Sequence, residues 1–151
     1  MGQVSPAAIV ARHMPVRAGA TRRVIMAAMK TVGEIMSTDL ITVEPSTTVA
    51  EAATLMGARH VGSALVMEGD NLSGIFTERD IVRALAAHFD AARHPVSQWM
   101  TTEPKTVGLS ASENEALDIM LAGGFRHLPV MQGDTVAGII SMRDVSHHAE
   151  E

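Results

Sequence analysis

The stretch GIFTERD at Gly74–Asp80 returns 64 residues later as GIISMRD at Gly138–Asp144. The same offset pairs Val32 with Val96, Met36 with Met100, Thr42-Val43 with Thr106-Val107 and Glu51-Ala52 with Glu115-Ala116. It runs on without a gap through Met56 and Met120, Val66-Met67 and Val130-Met131, and Gly69-Asp70 and Gly133-Asp134. About a third of the aligned positions are identical, and many of the others exchange one apolar residue for another. A chain written twice in this way folds as two like units, and a unit of about 50 residues is too small to close a core alone. The two copies must therefore pack against each other.

Each copy carries the same local signals. LITV (Leu40–Val43) and KTV (Lys105–Val107) read as short β-branched strands. Thr48 with Glu51, and Ser112 with Glu115, have the spacing of capping boxes that open amphipathic helices. Gly57 and Gly123 are placed to stop those helices. SALVM and HLPVM then read as buried strands, EGDN and QGDT as turns, and LSGIF and VAGII as the return strands of hairpins. A second helix follows from Thr77 or Ser141. Strand, helix, strand, strand, helix is the unit, preceded by VGEIM in one copy and VSQWM in the other. The expected fold is α+β, two βαββα repeats at 31–88 and 96–147, with a short polar linker at 89–95 and a tail at 148–151.

Composition narrows the partners. The 151 residues include no Cys, which rules out disulfides and thiolate metal sites and, with no secretory signal pattern, points to a reducing cytoplasmic compartment. No apolar run approaches the roughly 18 residues a membrane span needs. A net charge of -5 makes nucleic acid a poor partner for the chain as a whole. Residues 1–30 differ, carrying Arg12, Arg17, Arg22, Arg23 and Lys30 before the first carboxylate at Glu34. This stretch reads as a basic flexible leader with an internal start at Met26 or Met29; a basic arm and an organellar transit peptide are the other readings. No function is assigned to it.

The doubled motif has two readings from the residues alone. A hydroxyl followed three residues later by an acid is how helices commonly begin. Against capping as the full account, the first helix of each copy uses the longer Glu at that place, and the second helices use Asp80 and Asp144. An aspartate there can accept hydrogen bonds from a ribose diol, while the helix N-terminus offers N–H groups to a phosphate.

The GIFTERD and GIISMRD endings, RHLPV at Arg126–Val130, and the openings VGEIMSTDLITV and VSQWMTTEPKTV resemble the cystathionine β-synthase (CBS) domain. Its tandem pairs are called Bateman modules. The resemblance covers Val32–Val145 and implies two CBS repeats related by an approximate two-fold axis, with each of two clefts drawing on both copies. By that match one adenine-nucleotide site comprises Gly74, Thr77, Asp80, Lys105, Thr106, Val107, Arg126, His127 and Pro129. The other comprises Ile41, Thr42, Val43, His60, Val61, Gly62, Ser63, Gly138, Ser141 and Asp144. Gly74 and Gly138 are expected to let backbone approach the ligand. The ligand implied is AMP, ADP, ATP or another adenosyl compound, with no required cofactor, and the module pairs as a homodimer to regulate a partner protein.

The clefts are unequal in sequence. Gly62 and Ser63 stand where the other copy has Arg126 and His127, so the Asp80 cleft is expected to be the better site for a charged nucleotide. The plainer reading of Arg126 and His127 is that they solvate a strand entrance. His147-His148 is read as a solvated tail and not a metal signal, because adjacent residues do not share a helix face and no H-E-x-x-H pattern includes them. The repeated Met positions read as core filler. No Walker A or dinucleotide fingerprint is present, and nothing sets a catalytic triad together, so the chain is expected not to be an enzyme. The alternative is a ligand-independent interaction or dimerisation module.

Overall fold

The computed structural model describes residues 30–149 and, of these, the side chains up to Ser146. The basic leader and the last residues of the tail lie outside the described residues. The first copy opens with one helical turn, α1 (Val32–Ile35), followed by strand β1 (Thr42–Val43), helix α2 (Val49–Arg59), the hairpin β2 (Ser63–Glu68) and β3 (Asn71–Thr77), and helix α3 (Glu78–Ala87). Two 3-10 turns, Ala91–Arg93 and Val96–Gln98, carry the chain into β4 (Thr101–Thr102). The second copy then repeats the order as β5 (Val107–Gly108), α4 (Glu113–Gly123), β6 (His127–Gln132), β7 (Thr135–Ser141) and α5 (Met142–Ala149). The first strands are shorter than the β-branched runs predict, because only two residues of each reach a neighbouring strand.

Both sheets are built alike. β1 runs parallel to β2 and β2 pairs antiparallel with β3, with Val66 opposite Gly74; β5, β6 and β7 repeat this, with Val130 opposite Gly138. Each hairpin has a bulge one residue beyond that glycine pair, at Val66/Met67 and Val130/Met131. The α+β class with two like sheets matches the expectation from the repeat.

The openings of the two copies cross over. β4 belongs by sequence to the second copy yet pairs with β3 of the first, Thr101 opposite Ile75 and Thr102 opposite Gly74. In the reverse direction Ser37 bridges Ile139, each donating its N–H to the other's carbonyl at 2.8 and 3.0 Å. Upstream, the N–H of Val96 donates to the Thr47 carbonyl and that of Val32 to the Ala111 carbonyl, both at 2.8 Å. The side chains follow the backbone. Val96, Trp99 and Met100 pack into the core of the first copy, around Phe76 and Met56, while Val32, Ile35 and Met36 pack into the second, around Leu128 and Met120. Neither core is complete without a segment from the other copy, so the small apolar inventory of each repeat is supplemented by exchange.

This exchange gives Gly74 and Gly138 a role other than the expected one. A Cβ at Gly74 would lie 2.7 Å from the Thr101 carbonyl oxygen and 2.8 Å from Met100 Sδ; at Gly138 it would lie 2.7 Å from the Ser37 carbonyl oxygen. The close neighbour is the crossing strand of the other copy. α4 ends at Gly123 as expected, but α2 does not end at Gly57. α2 passes Gly57 and stops at His60, in the left-handed region at φ 55°, while α4 stops at the equivalent Gly124, φ 70°. Gly57, facing open space, does not terminate its helix.

Candidate functional site

The GIFTERD motif turns β3 into α3 at the edge of a cleft of about 830 Å³, a size within the range of small-molecule sites. From the first copy it is lined by Thr77, Glu78, Arg79, Asp80 and Arg83, with Gly62 across the hairpin. From the second come Thr101, Glu103, Pro104 and Lys105 after the crossing strand, and Phe125, Arg126 and His127 before β6. The cleft therefore brings together Thr77, Asp80, Lys105, Arg126 and His127 of the expected set. The rest of that set does not line it. Gly74 faces the crossing strand, Val107 and Pro129 are buried in the second copy, and Thr106 is exposed outside the cleft.

Asp80 is the buried charge of the site, its side chain 7% exposed. One oxygen, Oδ2, accepts the Thr77 N–H at 2.9 Å and the Thr77 hydroxyl at 3.2 Å. The other, Oδ1, accepts Arg83 Nη1 at 2.9 Å. The Asp80 N–H returns to Thr77 Oγ1 at 3.4 Å, closing a capping box. Asp144 does the same for α5, accepting the Ser141 N–H at 2.8 Å and donating its own to Ser141 Oγ at 3.1 Å. The shorter Asp therefore closes the reciprocal bond as the longer Glu does in α2, so the Glu/Asp difference does not tell against capping. With the extended backbone of the cap residue, the shorter side chain reaches. Capping and a ligand role are not exclusive, since a carboxylate has about four acceptor sites.

Arg79, not singled out in the sequence, ties the two copies together here. Its Nη1 donates to the carbonyl of Gly124 at 3.1 Å, satisfying an end group of α4. The signal was its identity across the repeat, shared with Arg143 inside the doubled motif. Arg83 left no such signal, because the other copy has His147 in its place.

His127 lies on the seam between the two motifs. Its ring packs over Gly62, where a Cβ would come within 3.2 Å of Nε2, and close to the Glu78 carboxyl. Burial lowers the imidazole pKa from its ordinary value; the nearby carboxylates of Glu78 and then Asp144 oppose the shift, and Arg126 adds to it. The residue assigned to the first cleft thus also feels the carboxylate of the second motif.

The second expected site is not assembled in the same way. Ile41 and Val43 are in the first core, Ser63 is buried, Thr42 is exposed, and Gly62 faces the first cleft. His60 and Val61 line a separate hollow of about 370 Å³ with Glu78 and Ile81. Neither of these cavities is lined by Gly138, Ser141 or Asp144.

Comparison with known proteins agrees with this architecture. The CBS domain matches residues 32–87 and again 96–151. The chain belongs to the CBS-domain family, as a tandem pair. The CBS domain-containing protein YhcV of Bacillus subtilis is 33% identical over 118 residues, 78% of this chain and 84% of that protein. The crystal structure of a CBS-domain containing protein from Agrobacterium tumefaciens is 33% identical and superposes with a TM-score of 0.76 over 80% of this chain and 99% of its own. The structure of CBSX2 in complex with AMP is 27% identical, with a TM-score of 0.69 over 80% of this chain and 96% of its own. No helix among the described residues is long and apolar enough to cross a membrane.

Proposed function

We propose that this CBS pair is a cytoplasmic regulatory protein that binds an adenine nucleotide in the Asp80 cleft, catalyses nothing itself, and reports occupancy to a partner protein. The observation that carries this reading is one cleft in which a buried carboxylate at a helix N-terminus faces Lys105 and Arg126 of the other copy. Asp80 suits a ribose diol; the α3 N-terminus and the two cations suit phosphate oxygens. The complex of the related CBSX2 with AMP supports an adenosyl ligand. Because both copies wall the cleft, a bound nucleotide would bias their relative packing by its differential affinity for the alternatives. ATP, ADP and other adenosyl compounds share the features used here, and the Ser141–Asp144 motif is the second candidate position.

The chain is further proposed to act as a homodimer. Val82 and Leu85 on α3, 67% and 51% exposed, and Phe89 just beyond its end, fully exposed, are large apolar residues left to solvent, which supports pairing. The same residues favour the second reading, an interaction module whose motifs only cap helices.

A thermal-shift panel of AMP, ADP, ATP and adenosine separates the two. A nucleotide at 100 times its dissociation constant should stabilise the fold by about 2.7 kcal/mol, a rise of about 5–10 °C. Asp80→Ala should remove the rise. A panel with no shift supports the interaction module, and a shift that survives Asp80→Ala moves the site elsewhere.

A further inference from the structure

Arg83 occupies the oxygen of Asp80 that a ribose would need. The Thr77 N–H and hydroxyl already take Oδ2, and the Arg83 guanidinium covers Oδ1 at 2.9 Å. Asp80 is nearly buried, with Oδ2 committed to Thr77, whereas the Arg83 side chain is 58% exposed. A diol that is to engage Oδ1 therefore competes with the guanidinium for it. What happens next depends on the ligand. A phosphorylated nucleoside brings an anion into the same cleft, and the released guanidinium exchanges one anionic partner for another. A neutral adenosyl compound offers no replacement, and any loosening of the ion pair on its binding goes uncompensated.

Resting on the nucleotide reading of this cleft, we propose that Arg83 is a specificity-determining residue. It selects phosphorylated over unphosphorylated nucleosides by transferring from Asp80 to the phosphate. At the equivalent position of the second copy, three residues after Asp144, the sequence has His147 instead of an arginine. Lys105 and Arg126 also attract phosphate, but they do not touch Asp80 and so do not penalise a neutral ligand.

The test is calorimetric titration of ligand-free full-length chain with AMP and with adenosine, in the native protein, Arg83→Met and Arg83→Lys. In Arg83→Met, adenosine should bind about two- to fivefold tighter, since a partly exposed ion pair no longer opposes it. AMP should bind about tenfold weaker or more, since a charge-assisted contact is gone. Arg83→Lys should fall between. If adenosine is unchanged, Arg83 only touches phosphate; if both ligands weaken together, it only orders Asp80. Either result overturns the exchange and leaves the nucleotide site standing. If neither compound binds the native protein, the nucleotide reading itself fails, and this inference with it.

Discussion

Thr77–Asp80 and Ser141–Asp144 hold the same place in two copies of one fold, and both aspartates close a capping box on the helix that follows. Their surroundings differ. The first motif looks across a cleft at Arg126, His127 and Lys105, and its carboxylate is held by Arg83. Across the repeat from Arg126 and His127 stand Gly62 and the buried Ser63, and the His127 ring has moved into the room that Gly62 leaves. The two copies thus share a scaffold and differ in the charged residues around their motifs. One motif faces a cationic opposite wall, and the other has Gly62 and Ser63 at the equivalent positions.

The largest predicted effects test the shared half of this comparison. Gly74→Ala and Gly138→Ala each push a Cβ into a backbone oxygen of the crossing strand, and each should destabilise the protein by about 2–3 kcal/mol in urea denaturation. If only one variant were weakened, the two crossings would not be equivalent. Next in size is the difference between the opposite walls. Arg126→Ala should weaken AMP binding about tenfold or more, measured by calorimetry, and loss of less than twofold would mean that the guanidinium only solvates the strand entrance.

The seam residue makes a prediction about pH. Folding lowers the pKa of His127, so the folded state prefers the neutral ring and the unfolded chain takes up the proton first. The contribution is therefore complete above the unfolded value of about 6.5 and is lost as pH falls below it, until the folded ring also protonates. His127→Ser, which copies Ser63, should flatten the fall in urea midpoint between about pH 7.5 and 5.5. A nucleotide phosphate beside the ring would favour its protonated form, so AMP affinity should rise over the same interval. An unaltered stability profile in the variant would remove His127 as its source.

The smallest effect lies at the ends of α2 and α4. His60 occupies a left-handed conformation that Gly124 adopts without strain. His60→Gly should raise stability by about 0.5 kcal/mol, the relief of strain being partly offset by the freer unfolded chain. Gly124→Ala should lower it by about 1 kcal/mol. Thermal melts of the pair check both signs.

Much of the scaffold was legible because the repeat is written in core residues. Val66 and Val130, Met56 and Met120, and the hairpin strands all reappear where the 64-residue offset puts them. The exchange of openings was not legible, because Val96 and Val32 look equally apolar whichever core receives them. Only Gly74 and Gly138 hinted at a close neighbour, and its identity had to come from the fold. Helix ends were read too simply, since glycine was taken as the stop while His60 adopts the same backbone as Gly124. Of the candidate cleft, the charged lining residues Asp80, Lys105 and Arg126 were named from the motif and its resemblance. Val107 and Pro129 were not separable from them by sequence, because a strand beside a cleft and a strand beneath it share one apolar pattern.

The central claim, that the Asp80 cleft and not its counterpart is built for a phosphate-bearing ligand, is tested most directly by titrating AMP into ligand-free native protein, Asp80→Ala and Asp144→Ala. The account predicts one dominant site per chain, lost in Asp80→Ala and kept within about twofold in Asp144→Ala. Two equal sites, or binding that survives Asp80→Ala and vanishes in Asp144→Ala, would contradict it.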